Sequence, residues 1–167
     1  MLRLVLAMLT AASLMPAAIL TSTLPEYDGA GVWPATETVG TFTYTIPLGE
    51  TILSATVTGT MGNSSSPTTA VMDVLVDGVL VAQCPDEAAA CWSVAGPHPF
   101  SYSFLPAEFA VLLDNAADLT VNQLDCCVIR LGETTLTIVT GAVPEPGGFV
   151  LLAGGLGALV WRLRRRR

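Results

Sequence analysis

The stretch VMDVLVDGVLVAQ, residues 71–83, sets two apolar runs on either side of Asp77-Gly78. A two-residue hairpin loop of type I′ needs positive φ at both central positions, and Asp-Gly supplies it. The pattern therefore predicts two strands that pair with each other across that turn. Neighbouring segments repeat the strand signature. GTFTYTIPLGE (40–50) alternates Phe42, Tyr44 and Ile46 with threonines, and TILSATVTGT (51–60) carries Ile52 and Val57 among β-favouring threonines. GNSSSP (62–67) breaks the pattern as a loop. PFSYSFLP (99–106) alternates again through Phe100, Tyr102 and Phe104, whereas PAEFAVLLDN (106–115) opens on proline without alternation and reads as one or two helical turns. ADLTVNQL (117–124), DCCVIRL (125–131) and TTLTIVTG (134–141) complete the set, with Gly132-Glu133 expected as a turn. Seven or eight short strands with almost no helix predict an all-β fold, a β-sandwich spanning 35–141. A jelly-roll-like topology is one alternative, and strand order is not legible.

Charge separates this middle from both ends. The chain has seven arginines and no lysine; between Ser22 and Val143 only Arg130 is basic, against thirteen carboxylates, a net charge of about −12. Such a segment repels phosphate backbones, which excludes nucleic acid as a partner. It suits solubility, cation attraction or neutral polar partners such as sugars.

The first twenty residues, MLRLVLAMLTAASLMPAAIL, place one arginine ahead of an apolar run and then small residues. That order predicts a secretory signal peptide over 1–22, cut between Ala17 and Thr23, then a linker over 23–34. An uncleaved anchor helix is the alternative; either way the chain engages the secretion translocon, and in the first case signal peptidase. At the far end, Gly147–Trp161 is fifteen residues without charge. As a helix it would cover roughly 22 Å at ~1.5 Å per residue, short of the ~30 Å hydrocarbon core. Arg162, Arg164, Arg165, Arg166 and Arg167 follow it, suited to snorkelling and to stopping transfer. The tail is expected to cross the inner membrane with its arginines in the cytoplasm and the acidic domain outside.

Val143, Pro144, Glu145 and Pro146, then an apolar segment containing LLAGGLGAL, then the arginine cluster, closely resemble the PEP-CTERM sorting signal. The resemblance covers residues 142–167. It implies recognition by an exosortase, an integral-membrane cysteine protease of Gram-negative bacteria that make extracellular polysaccharide, and processing near the tripeptide. The two prolines hold the neck extended, as a protease cleft requires. More loosely, ADLTVNQLDCCVIRLGETTLTI looks like the closing strands of small sandwich domains carried by exported PEP-CTERM proteins, which assigns no activity.

Four cysteines in an exported chain suit an oxidising compartment. Cys84 and Cys91 bracket CPDEAAAC and form the favoured disulfide, with pairings of either to Cys126 or Cys127 as alternatives. The spacing fits no zinc site, and His98, between Pro97 and Pro99, is the only histidine. It reads as an exposed loop residue. No hydrolase, P-loop or dinucleotide motif is present. Asp73, Asp77, Glu108, Asp114, Asp118 and Asp125 do not single out a catalytic pair by spacing, so no catalytic residue and no cofactor are expected; structural calcium at Asp114–Asp118 is the alternative. Trp33 and Trp92 are candidate stacking platforms for sugar. The expectation is an exported, exosortase-processed protein of the cell surface or matrix, non-catalytic and structural or adhesive. A carbohydrate-binding module for exopolysaccharide is the alternative.

Overall fold

A computed structural model describes residues 17–29, 34–63, 72–84, 92–93, 96–124, 129–142 and 155. Among the described residues the chain forms eleven strands and one 3-10 helix: β1 (Ala18–Leu24), β2 (Tyr27–Asp28), β3 (Ala35–Thr43), β4 (Glu50–Asn63), β5 (Met72–Val76), β6 (Val79–Cys84), β7 (Trp92–Ser93), β8 (Gly96–Ser103), the helix (Pro106–Leu112), β9 (Ala116–Gln123), β10 (Ile129–Leu131) and β11 (Thr134–Ala142). They make two antiparallel sheets. One runs β3-β9-β5-β6. The other is built on β4, with β11 and β10 along one edge and β8 along the other; β1 and β2 flank β11 and β10, and β7 flanks β8. Both sheets turn their apolar sides toward a shared core that includes Val57, Ile138 and Leu136 from one and Phe42, Leu119 and Val74 from the other. The all-β, two-sheet expectation therefore holds.

The hairpin forms as its dipeptide requires. Asp77 and Gly78 have φ of 45° and 80°, both positive, and join β5 to β6. The helical turn also forms. Pro106 begins it without losing a needed N–H, and the Glu108 carboxylate accepts the Leu105 N–H at 2.7 Å.

Three local expectations are corrected. Gly132-Glu133 is not a chain reversal. β10 pairs with Met61–Asn63 and β11 with Glu50–Thr58, so both travel in one direction along one edge of β4. Between them the ladder is interrupted, and the Gly132 N–H donates to the Thr60 carbonyl at 2.9 Å. A Cβ on Gly132 would sit 2.2 Å from Thr60 Oγ1, which is why glycine occupies this crossing.

His98 is not in a loop. It lies within β8, half-buried and opposite Met61. Pro97 and Pro99 are two residues apart, so both lack an N–H toward the same edge, and the ladder on the other edge survives.

The sandwich also begins well before residue 35. Ala18–Ser22, expected within the export segment, pair with Thr140–Leu136, and β1 continues to Leu24 opposite Thr134. Side-chain contacts hold this strand and β2 to the opposite sheet: Ser22 Oγ accepts the Thr43 N–H at 3.1 Å, Leu24 lies against Gly40, and in β2 the Tyr27 hydroxyl donates to Glu37. Leu20, Leu24 and Tyr27 pack on the core.

Gly59 is a point of close approach between β4 and β8 at the core edge. A Cβ there would meet the Phe100 ring at 2.8 Å and Thr134 Oγ1 at 2.9 Å. Overpacking of this kind costs about 1–3 kcal/mol. Gly59→Ala is expected to lower the urea midpoint accordingly, with an unchanged slope; a midpoint equal to wild type would show that Phe100 moves aside freely.

Candidate functional site

The side of the β4 sheet that faces away from the core carries two rows of hydroxyls. Cross-strand register places Thr23 beside Thr135, Thr135 beside Thr58, and Thr58 beside Ser101. One pleat along, Thr21, Thr137, Thr56 and Ser103 align in the same way. Alternation explains the arrangement. In TST, TLT, TVT and SYS the middle residue turns inward, and Leu136 and Val57 are buried at 1% and 0% exposure. The strands that carry the hydroxyls lie ~4.8 Å apart, and successive outward residues along a strand about 6.6 Å. Threonine side chains are β-branched and stiff, so the array is ordered before anything binds. Thr23 and Thr135 are hydrogen-bonded through their hydroxyls at 3.0 Å.

Neither row contains a charge. On an otherwise acidic domain this makes a neutral face four strands wide, with hydroxyls that both donate and accept. Sequence reading assigned these threonines only to strand propensity. The repeated T-x-T triplets were visible, but their lateral alignment depends on register. A third row, Ile19 beside Val139 beside Ser54, is mainly apolar and borders the array where β11 ends.

Carboxylates gather at that same end of the molecule, on the opposite sheet. Asp77 Oδ1 accepts the Asp118 N–H at 2.9 Å, Asp118 Oδ1 accepts the Thr41 hydroxyl at 2.6 Å, and Asp114 Oδ1 accepts the Ala116 N–H at 3.3 Å. Asn115, at φ 70°, accepts the Ile46 N–H through its side chain at 2.8 Å. Partial burial raises the Asp77 pKa first of all, and Asp114 and Asp118 raise it further, against the lowering hydrogen bond from Asp118. Burial also pushes the Tyr44 phenol up, with help from Asp114 and Asp77; its hydroxyl donates to the Leu112 and Ala116 carbonyls. The Tyr102 phenol is raised mainly by its hydrogen bond to Glu108, at 2.9 Å.

Each candidate carboxylate among the described residues has a hydrogen-bond partner within the fold. Asp73 accepts from the Gln83 amide at 3.0 Å, and Glu108 is held by Tyr102 and the helix start. Asp125 lies outside the described residues. Among the described residues no group of three or more His, Cys, Asp or Glu side chains is arranged to hold a metal ion.

Cys84 is buried, is disulfide-bonded, and has its sulfur 3.9 Å from Met61 Sδ. Cys91, Cys126 and Cys127 all lie outside the described residues, so the bridge is placed at one end only. Trp33 and the Trp92 side chain are also outside them, as are Val143, Pro144, Glu145, Pro146 and the arginines at 162 and 164–167. Among the described residues, no helix is long and apolar enough to cross a membrane.

No family model matches the chain, and no curated protein matches it. Among solved structures it is similar to a chain of the cyanophage Pam1 capsid asymmetric unit, at a TM-score of 0.39 and 11% identity. That likeness covers 78% of this chain and 94% of the capsid chain. At this level it assigns neither fold nor function.

The Asp77 environment has a pH signature. An acid whose pKa is raised by folding stabilises the folded state only while protonated there, so the contribution falls as pH rises through the carboxylate range. Asp77→Asn keeps an acceptor for the Asp118 N–H and tolerates positive φ. The variant is expected to melt higher than wild type at pH 7, with the difference vanishing below about pH 3, where unfolded carboxylates are also protonated. Thermal melts across pH 2.5–7 test this; a gap that widens on acidification would overturn it.

Proposed function

We propose that this chain is an exported, non-catalytic β-sandwich protein of the cell surface or polysaccharide matrix. In this reading the C-terminal segment holds it briefly in the inner membrane, and an exosortase processes it near Pro144-Glu145-Pro146. The sandwich then acts as a structural or adhesive element. The observation that carries the adhesive part is the neutral hydroxyl face on the β4 sheet. A domain with a large excess of carboxylates that keeps eight aligned Thr and Ser side chains free of charge is suited to neutral polymers. Neutral polysaccharide is such a polymer: it needs donors and acceptors at close spacing, and it does not suffer repulsion from acidic side chains.

The tail supports the export and sorting part through its sequence alone. Its apolar stretch is short and rich in glycine, which favours temporary over lasting residence in a bilayer. The strand β1 adds a constraint on the other end. A cut at the late side of the Ala17–Thr23 window would remove most of the strand that pairs with β11, so an early cut is the one compatible with the folded domain.

Two measurements check this reading. Intact-mass analysis of the extracellular protein is expected to show loss of Arg162–Arg167 with a new end near Pro144; released protein that retains those arginines would defeat processing there. For adhesion, native gels containing dextran or soluble cellulose derivatives are expected to retard the wild-type domain. Thr58→Glu combined with Thr137→Glu places two carboxylates mid-face and is expected to weaken retention about tenfold, ~1.4 kcal/mol. Each outward substitution should change stability by no more than about 0.5 kcal/mol. Unchanged retention by the folded double variant would remove the face from the account.

A further inference from the structure

Both ends of the sandwich leave the molecule at the same place. Ala18, the first residue of β1, pairs with Thr140, and Ala142, the last of β11, pairs with Glu50 at the start of β4. Around this exit stand large apolar side chains in solvent. Leu48, two residues before Glu50, is 105% exposed, and Ile19 is 70% exposed beside Val139. Leu53 is bulged out of the β4–β11 ladder next to Gly141 and is 56% exposed. Leu105 and Leu113 flank the 3-10 helix at this end, brought there by the Phe104 N–H bond to the Ala55 carbonyl and the Asn115 bond to Ile46. Scattered leucines on a soluble surface need no explanation, but a group ringing one end of a sandwich does.

We infer that this end rests on the membrane surface while the chain is tail-held, with Leu48, Leu53 and Ile19 dipping into the headgroup boundary. The inference depends on the proposed insertion of Gly147–Trp161. The occupant follows from chain length. From Ala142 to Gly147 there are five residue steps, which span at most about 18 Å when fully extended. The apolar rim is thus tethered within a short reach of the bilayer into which the tail would insert. Tethering raises the effective concentration of a weak contact without any added affinity. Once the neck is cut, the leucines alone lack that advantage, and the domain leaves. The rim carries Glu50, with Asp77, Asp114 and Asp118 at the same end, so zwitterionic lipid is favoured over anionic lipid. The same contact would hold the Pro144–Pro146 neck close to the membrane, where an integral-membrane protease works.

Brominated phosphatidylcholine quenches tryptophan only at contact depth, and the chain supplies its own control. The full chain is reconstituted in such vesicles as wild type, W161F, L48W and L124W; Leu124 is 50% exposed at the opposite end of β9. The expected result has three parts. Wild-type emission is quenched and W161F removes that quenching, which reports tail insertion. The emission added by L48W is quenched to a similar fraction, and the emission added by L124W is not. Exchanging half the lipid for brominated phosphatidylglycerol reduces the L48W quenching. If Trp161 is quenched but L48W is not, the resting contact is wrong and the tail reading stands. Equal quenching of L48W and L124W also overturns it, since no particular end would face the lipid. L48W emission that is shielded from iodide yet insensitive to brominated lipid would assign the rim to a second copy of the chain. Loss of Trp161 quenching would sink the tail reading and this inference together.

Discussion

Hydrogen bonding along both edges of β4 is the constraint on which the molecule depends. This strand runs for fourteen residues and bonds to β11 and β10 on one side and β8 on the other. Its register decides which residues of three neighbouring strands share a face. A slip of one residue would send Val57 and Ala55 to solvent and Thr56 and Thr58 to the core. The β4 interior therefore sets the core, and the same alternation sets the outer face.

That coupling links stability to the proposed role. Inward, β4 contributes Ile52, Ala55, Val57 and Met61, all nearly inaccessible to solvent. Outward, it contributes the central threonines of both hydroxyl rows. Nothing has to move to form the face; it exists because the core exists. The interruptions in the ladder also have consequences. The break at Gly132 lets β10 and β11 stay on one edge, and the bulge near Leu53 turns an apolar side chain outward where the chain leaves the sandwich. Irregularities of this kind re-aim side chains, which alternation by itself would not do.

Much of this was legible from local patterns, for reasons that differ by element. The Asp77-Gly78 turn was readable because positive φ at two successive residues admits few side chains. Most strands were readable because a half-buried sheet imposes a two-residue period. The misreadings came where tertiary contacts overrode local signals. Gly132-Glu133 has turn chemistry, yet β4 offers a continuous edge that keeps the chain running straight. Pro97 and Pro99 suggest a loop, yet they face one edge only and leave the β8 ladder to β4 intact. Ala18–Leu24 merges with the apolar N-terminal stretch in sequence, and only pairing with β11 separates it.

By itself, the sequence determined the class of fold and the acidic charge of the middle, and it carries the tripartite tail on which the sorting proposal rests. These depend on composition, short-period patterning and contiguous motifs, all of which are local. The tertiary structure alone decided that eight hydroxyls align on one neutral face, that the apolar side chains ring the exit of both terminal segments, and that Asp77, Asp114, Asp118 and Glu108 hold turn, strand and helix-start contacts. Those facts depend on which residues lie side by side across strands, up to 122 positions apart in the chain, and hydrogen-bond register is a property of the pair, not of either strand.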